Sequence, residues 1–152
     1  MLIGVISDTH GLLRPEARVA LAEAEHILHA GDVGDPEILD ALEEIAPVTA
    51  IRGNVDVRGS CSLLPATEAV ELGGRLFYMV HSVHDLDIDP KAAEVDVVVS
   101  GHSHKPRIER KKDVMYLNPG SAGPRRFDLP VSVALVTVGE GGVEARIVEL
   151  EV

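Results

Sequence analysis

Two imidazoles separated by one small residue, in Gly101-His102-Ser103-His104, follow directly on the apolar run Val97-Val98-Val99-Ser100. Histidines at the end of a buried strand are poor core material and good metal-ligand material. Residues two apart on an extended segment point to the same side, so His102 and His104 can face one cavity with Ser103 turned away. The same arrangement, an apolar run ending beside an oxygen or nitrogen donor, recurs at Asp8-Thr9-His10-Gly11, Gly31-Asp32, Gly53-Asn54 and His81. Asp8, His10, Asp32, Asn54, His81, His102 and His104 are too many donors for one tetrahedral zinc but suit two metal ions sharing a ligand. Asp32, immediately after its strand, is the natural bridge, because a carboxylate has two oxygens.

Donors at strand ends need a parallel sheet to bring them together, since ligands in α/β sheets sit beyond the carboxyl ends of the strands. The first third of the chain predicts such a sheet. Leu2 to Ser7, His26 to Ala30 and Val48 to Ile51 are apolar runs of the kind buried on both faces. Between them, Pro15 with Ala17, Ala20, Leu21 and Ala24 predicts a helix of about ten residues. Asp35-Pro36, an N-cap followed by Pro at the first helical position, opens a second helix carrying Ile38, Ala41, Leu42 and Ile45. This alternation implies parallel strands with right-handed crossovers. After residue 66 the period changes. Thr67 to Leu72 and Arg75 to Val80 flank a Gly73-Gly74 turn, and a one-turn helix is expected from Pro90 to Glu94. Strands Val95 to Ser100, Arg107 to Lys111 and Val114 to Asn118 precede a last hairpin, Val131 to Val138 with Val143 to Val152. The expected architecture is a parallel βαβαβ half joined to a hairpin-rich half, as two facing sheets with helices outside.

A length of 152 residues and 45% hydrophobic content fit one domain with a single core, spanning 1–152. No apolar run approaches the roughly 18 residues of a membrane span, and residues 1–4 carry no basic leader, so a cytoplasmic protein without a membrane partner is expected. The single cysteine, Cys61, excludes a disulfide framework within the chain and reads as a small buried residue. A formal charge of −11 tells against an extended nucleic-acid-binding face, so an anionic substrate would need a local positive source such as bound metal. The chain has no Gln and only two Asn, Asn54 and Asn118, with ten Arg against four Lys, a balance that suits a heat-adapted source. His26 and His29, inside the second strand, read as structural, and Asp56 as a shaper of the Asn54 loop. His84 faces either the site or solvent.

Taken in order, Asp8-Thr9-His10, Gly31-Asp32, Gly53-Asn54, His81 and Gly101-His102-Ser103-His104 resemble the signature of the calcineurin-like metallophosphoesterases. Asn118-Pro119-Gly120-Ser121 extends the likeness toward the small single-domain prokaryotic phosphodiesterases of that superfamily. The resemblance implies a four-layer α/β/β/α sandwich of two facing mixed sheets. It assigns Asp8, His10, Asp32 and His104 to one metal ion and Asp32, Asn54, His81 and His102 to the other. Mn²⁺ is the first expectation for the pair, with Fe, Zn, Ni or Co as alternatives, because mixed carboxylate and imidazole ligands discriminate weakly. Two divalent ions less two carboxylates and one hydroxide leave a net positive site inside an acidic protein. The implied reaction is hydrolysis of a small phosphodiester by a hydroxide bridging the metals, with Asp32, Asn54 and His102 at the catalytic centre.

This sequence departs from the family pattern at Val55. Many members carry His directly after the Gly-Asn asparagine, where it assists the leaving group, and valine has no proton to give. Activated leaving groups are therefore expected, unless another acid such as His84 substitutes. Arg125 and Arg126 are candidates to hold the far end of a diester, with surface ion pairing as the alternative for them and for Arg14. A non-catalytic interaction scaffold is the second functional reading, since the retromer scaffold subunit has this fold and also lacks that histidine. The intact donor set argues for the enzyme. A nucleotide-switch protein is excluded by the missing phosphate-binding Gly-x-x-x-x-Gly-Lys loop. Exposed apolar hairpins would make a homodimer unsurprising.

Overall fold

The strand that starts the chain, β1 (Leu2–Ile6), has apolar side chains on both faces and accordingly lies at the centre of a sheet. In the computed structural model, which describes all 152 residues, Ile3 and Val5 face a core between two sheets while Ile6 faces a core under the helices. Helix α1 (Pro15–Ala20) leads to β2 (His26–His29), then α2 (Pro36–Glu43) leads to β3 (Val48–Ala50). The pairings β1 with β2 and β2 with β3 are parallel, as the alternation requires. The Asp35 carboxylate caps α2 by accepting from the Glu37 N–H at 2.9 Å.

Helix α1 is shorter than its apolar spacing predicts. Leu21 already leaves helical geometry, and the Glu25 N–H bonds to the Leu2 carbonyl, which draws the chain into β2. Leu21 and Ala24 remain buried against the sheet all the same. The segment from Pro90 to Glu94 is a turn closed by a Val95 N–H to Pro90 carbonyl bond, with Glu94 in left-handed geometry, and not a helix.

The second sheet comprises β4 (Thr67–Leu72), β5 (Arg75–Val80), β6 (Val97–Val99), β7 (Arg107–Lys111) and β8 (Val114–Asn118), in the order β4-β5-β6-β8-β7. The parallel pairs β5–β6 and β6–β8 sit between two antiparallel edge pairs. Phe77, Met79, Val97, Val99, Met115 and Leu117 face the core between the sheets. On its outer face, Val80, Val98 and Val114 are covered by Leu86, Ile88 and Val95, so the fourth layer of this α/β/β/α sandwich is reduced to turns.

The last hairpin, β9 (Ser132–Gly139) and β10 (Gly142–Glu149), does not join the hairpin-rich sheet. It returns to the first, where β9 pairs antiparallel with β1 and gives the order β10-β9-β1-β2-β3. Composition explains the placement. Strand β9 buries Ala134 and Val136 between the sheets and Val133 and Leu135 on the helix side, so it needs an interior position. Strand β10 alternates toward solvent and suits the edge. Strands β1, β2, β3, β5 and β6 all point their carboxyl ends to one side of the sandwich, and the candidate donors follow those ends.

Candidate metal centre

Asp8 follows β1 and is buried between two neighbouring loops. Its Oδ2 accepts from the Ser7 hydroxyl at 2.6 Å and from the His102 N–H at 3.0 Å, so one oxygen is committed to the protein. Its Oδ1 is buried with no hydrogen-bond partner and faces His104 Nε2 at 3.4 Å, His10 Nε2 at 3.7 Å and His81 Nε2 at 3.9 Å. Asp32, after β2, is divided in the same way. Its Oδ1 accepts from the Val55 N–H at 2.9 Å, and its Oδ2 lies 3.2 Å from His81 Nε2 and 3.6 Å from His10 Nε2. His81, after β5, donates from Nδ1 to the Ala30 carbonyl at 2.7 Å, which fixes the tautomer and turns the Nε2 lone pair inward.

Buried polar atoms are normally paired, yet Asp8 Oδ1, His10 Nε2, His81 Nε2 and His104 Nδ1 have no partner. Asp8 Oδ1 lies 3.4–3.9 Å from the facing Nε2 atoms of His104, His10 and His81, longer than a good hydrogen bond. These separations match a different geometry: donors held about 2.1 Å from one metal ion lie roughly 3 Å apart. Two groups result, Asp8 with His10 and His104, and Asp8 with Asp32 and His81, each with its donor atoms within 4.8 Å of one another. The residues therefore fit a metal; Asp8 belongs to both groups, and Asp32 Oδ2 lies between His81 and His10. His102 and Asn54 lie at the exposed rim. The His102 ring is 5.3 Å from that of His81, and His102 Nδ1 is 3.5 Å from Asn54 Nδ2.

The backbone is bent to make this possible. Asp8, His10, Asp32, His102 and His104 all have φ between 46° and 70°, five of the nine non-glycine residues in left-handed geometry. Each such residue costs of order 1 kcal/mol, and strain of this kind concentrates at functional sites. Two glycines let the loops close. A Cβ on Gly101 would overlap the Ser7 hydroxyl and the Asp8 carboxylate, and one on Gly53 would overlap Asp32. Asn118 clamps the loop between β6 and β7, donating to the Gly101 carbonyl at 2.9 Å and the Ser103 hydroxyl at 3.1 Å while accepting from the Gly120 N–H. Asp56 does more than shape the Asn54 loop. It accepts from Val33, Gly34 and Gly53 N–H groups at 2.9–3.1 Å and so ties the Asp32 and Asn54 loops together. A lone Asp three residues beyond a glycine carried no periodic signal of that role.

Charge favours the ionised carboxylates. Burial opposes ionisation of Asp8, but the facing imidazoles of His10 and His104 and the Ser7 hydroxyl hold it well below the usual carboxylate range. Asp32 is also lowered, its burial outweighed by His81 and the Val55 N–H. Asp8 raises His10, and Asp32 with Ala30 raises His81 against its burial.

His29 is structural, as its strand position predicts. It is fully buried, accepts the Gly31 N–H at Nδ1 and meets Thr9 Oγ1 at 3.0 Å through Nε2. Burial pushes it down to about 4. The unfolded chain therefore takes up this proton near pH 6.5 and the folded chain only near pH 4, so the folded state loses ground as pH falls between them. In the presence of chelator, wild type should lose about 3 kcal/mol more than His29→Asn across that window, because Asn keeps the Gly31 acceptor but cannot be protonated. Parallel stability–pH curves from urea denaturation would refute this.

Among the arginines, Arg125 bonds the Leu129 carbonyl from an exposed position, and Arg14 holds the Gly123 carbonyl. Arg126 lies close enough to His10 to oppose its protonation. None of the three forms an ion pair with a carboxylate. His84 is exposed and lines a cavity of about 340 Å³ that also borders His102. His26 pairs with Thr49 at 2.8 Å, away from the site, Cys61 is buried, and no helix is long and apolar enough to cross a membrane.

Residues 1–141 match the model of the calcineurin-like phosphoesterase superfamily domain. A probable metallophosphoesterase of Methanocaldococcus jannaschii is 37% identical, covering 99% of this chain and 82% of its own length. A phosphodiesterase of the same organism is 30% identical over 79% of this chain and 83% of its own. Among solved structures, vacuolar protein sorting 29 of Cryptosporidium parvum superposes with a TM-score of 0.76 at 22% identity, over 99% of this chain and 98% of that one. That last likeness concerns the fold alone. The family match across most of the chain, with every motif of the donor set on it, means that this protein belongs to the calcineurin-like phosphoesterase superfamily.

Proposed function

We propose that the protein is a phosphodiesterase that works with two divalent metal ions. The observation that carries the reading is the set of buried, partnerless donors converging from the loops that follow β1, β2, β5 and β6. Asp8, His10, Asp32 and His104 would hold one ion, and Asp32, Asn54, His81 and His102 the other, with Mn²⁺ the first choice. When bound, such a pair supplies an activated water at neutral pH and offsets charge developing on the phosphoryl oxygens. The chain does the rest. Asp32 Oδ2 lies between His10 and His81 Nε2, where it would serve both ions, while its Oδ1 is pinned by the Val55 N–H. The rim residues His102 and Asn54 are exposed, where a phosphoryl oxygen can reach them. Arg126, whose charge reaches His10, would draw the anionic substrate to that side.

Val55 stands at the rim with its side chain exposed and offers no proton. A positioned general acid is worth about 10² to 10⁴ in rate, so aryl diesters should be cleaved at least about 10²-fold faster than alkyl diesters. Val55→His should narrow that gap. Purified protein stripped with EDTA and reloaded with Mn²⁺, Co²⁺, Ni²⁺, Zn²⁺ or Fe²⁺ is assayed on bis(p-nitrophenyl) phosphate and on an alkyl diester. Absence of bound metal and of metal-stimulated hydrolysis would sink the enzyme in favour of the interaction scaffold. Equal rates on the two esters would remove the leaving-group argument, unless His84→Ala restores the gap and so names the acid.

A further inference from the structure

The chain is acidic overall, yet five of its fourteen basic residues fall within the eight positions from Lys105 to Lys112. Strand geometry sorts them. Residues two apart share a face, so Arg107, Glu109 and Lys111 of β7 point together, while Arg110 points the other way and bonds the Val143 carbonyl of β10. The first three line the 340 Å³ cavity, joined by Lys105 from the preceding loop. Its far wall carries His84, and His102 separates it from the metal centre. Within it, Glu109 is the single carboxylate, already paired with both Arg107 and Lys111, so the lining keeps an excess of two positive charges. Lys111 Nζ lies over the ring of Tyr116, which also lines the cavity, 5.7 Å from its centroid. The cavity is thus a basic pocket that borders His102 of the candidate metal centre.

We propose that this cavity seats a second phosphate, carried on the arm of the substrate that stays attached to the scissile phosphoryl group. The substrate class is then a phosphodiester bearing a terminal phosphate monoester. This rests on the phosphodiesterase reading above. Hydrolysis adds one water across one P–O bond, giving a phosphate monoester and the departing hydroxyl compound, while the second phosphate remains intact.

Two measurements test it. In the first, Mn²⁺-loaded wild type is compared on thymidine 5′-(p-nitrophenyl phosphate) and its 3′-phosphorylated counterpart, which differ only in the terminal phosphate. The phosphorylated ester should show kcat/KM about tenfold higher, and Lys105→Ala with Arg107→Ala should bring the ratio close to one, because a charge-assisted contact is lost at each position. Glu109→Gln, which removes the competing carboxylate, should raise the ratio above that of wild type. A general packing defect would not produce that gain. In the second, metal-free protein in EDTA is titrated with thymidine 3′-phosphate and with thymidine, following the amides of residues 105, 107 and 116 by NMR. Saturable shifts for the phosphate alone, weakened in the double variant, support the site. Equal ratios for both esters, or equal shifts for both nucleosides, overturn it. The two readings fail separately: hydrolysis with no preference removes the cavity assignment and keeps the enzyme, whereas phosphate binding without any hydrolysis keeps the cavity and removes the enzyme.

Discussion

Asp32→Asn is expected to remove metal binding and hydrolysis together while leaving the fold intact. The substitution is nearly isosteric, and its orientation is dictated by the protein. The Val55 N–H needs an acceptor at the position of Oδ1, so the amide oxygen must take that place. The amide NH₂ is then forced into the position of Oδ2, between His81 Nε2 and His10 Nε2. Two N–H donors there replace an acceptor, and one negative charge is lost from a site built to hold cations. Metal affinity should fall by about 10²-fold or more, and kcat by about 10³-fold or more, since the proposed site gives the residue to both ions. Stability provides a readout that does not depend on turnover. A metal present at 1,000 times its Kd stabilises the native state by about 4 kcal/mol, and a 10²-fold weaker site leaves about 1.4 kcal/mol of that, so EDTA should lower the Tm of wild type by several degrees and that of the variant by about a third as much or less. A variant that keeps its chelator-sensitive Tm would show that Asp32 is not a ligand. A metal-loaded variant that also keeps its rate would show that the chemistry lies elsewhere.

What the sequence discloses follows from which interactions are local. Val97-Val98-Val99 and Leu2 to Ile6 announce buried strands by composition, and the donors stand within a few residues of their ends, so strand ends and donors were legible together. The relative placement of β9 was not. Its pairing with β1 joins residues more than 120 positions apart, and nothing local distinguishes it from a hairpin that extends the second sheet. Backbone conformation was hidden for a similar reason. Gly31 and Gly53 announce tight turns, but the left-handed φ of Asp8, His10 and Asp32 is imposed by neighbouring loops and not by the residue types. The basic cavity was hidden because its charges come from β7, an edge strand of ordinary exposed appearance, and acquire meaning only when the Gly101–His104 loop sets them beside the metal centre.

Asp56 shows how far such a long-range dependence can reach, and Asp56→Ala should be the most damaging change outside the ligand set. The side chain is buried, and its two oxygens satisfy three N–H groups: Val33 and Gly53 on Oδ2, and Gly34 on Oδ1. Val33 and Gly34 continue the loop that presents Asp32, and Gly53 opens the loop that presents Asn54 and the Val55 N–H. Truncation leaves three donors in place of three charge-assisted bonds. At about 1.5–3 kcal/mol for each bond to a charged acceptor, and with water recovering part of the loss, the cost should be about 3–5 kcal/mol. Asp56→Asn should fall between the two, because one oxygen can serve Val33 and Gly53 while the amide NH₂ confronts the Gly34 N–H. The loss will extend to function. Once the two loops are uncoupled, the Val55 N–H no longer fixes Asp32 Oδ1, and metal affinity should drop about 10–100-fold although no ligand has been changed. Urea denaturation in EDTA measures the first effect, and competition with a fluorescent chelator at a temperature where the variant is still folded measures the second. Unchanged stability would refute the three-bond account. Lost stability with wild-type metal affinity would mean that the loops hold their register without Asp56, leaving it a structural residue alone.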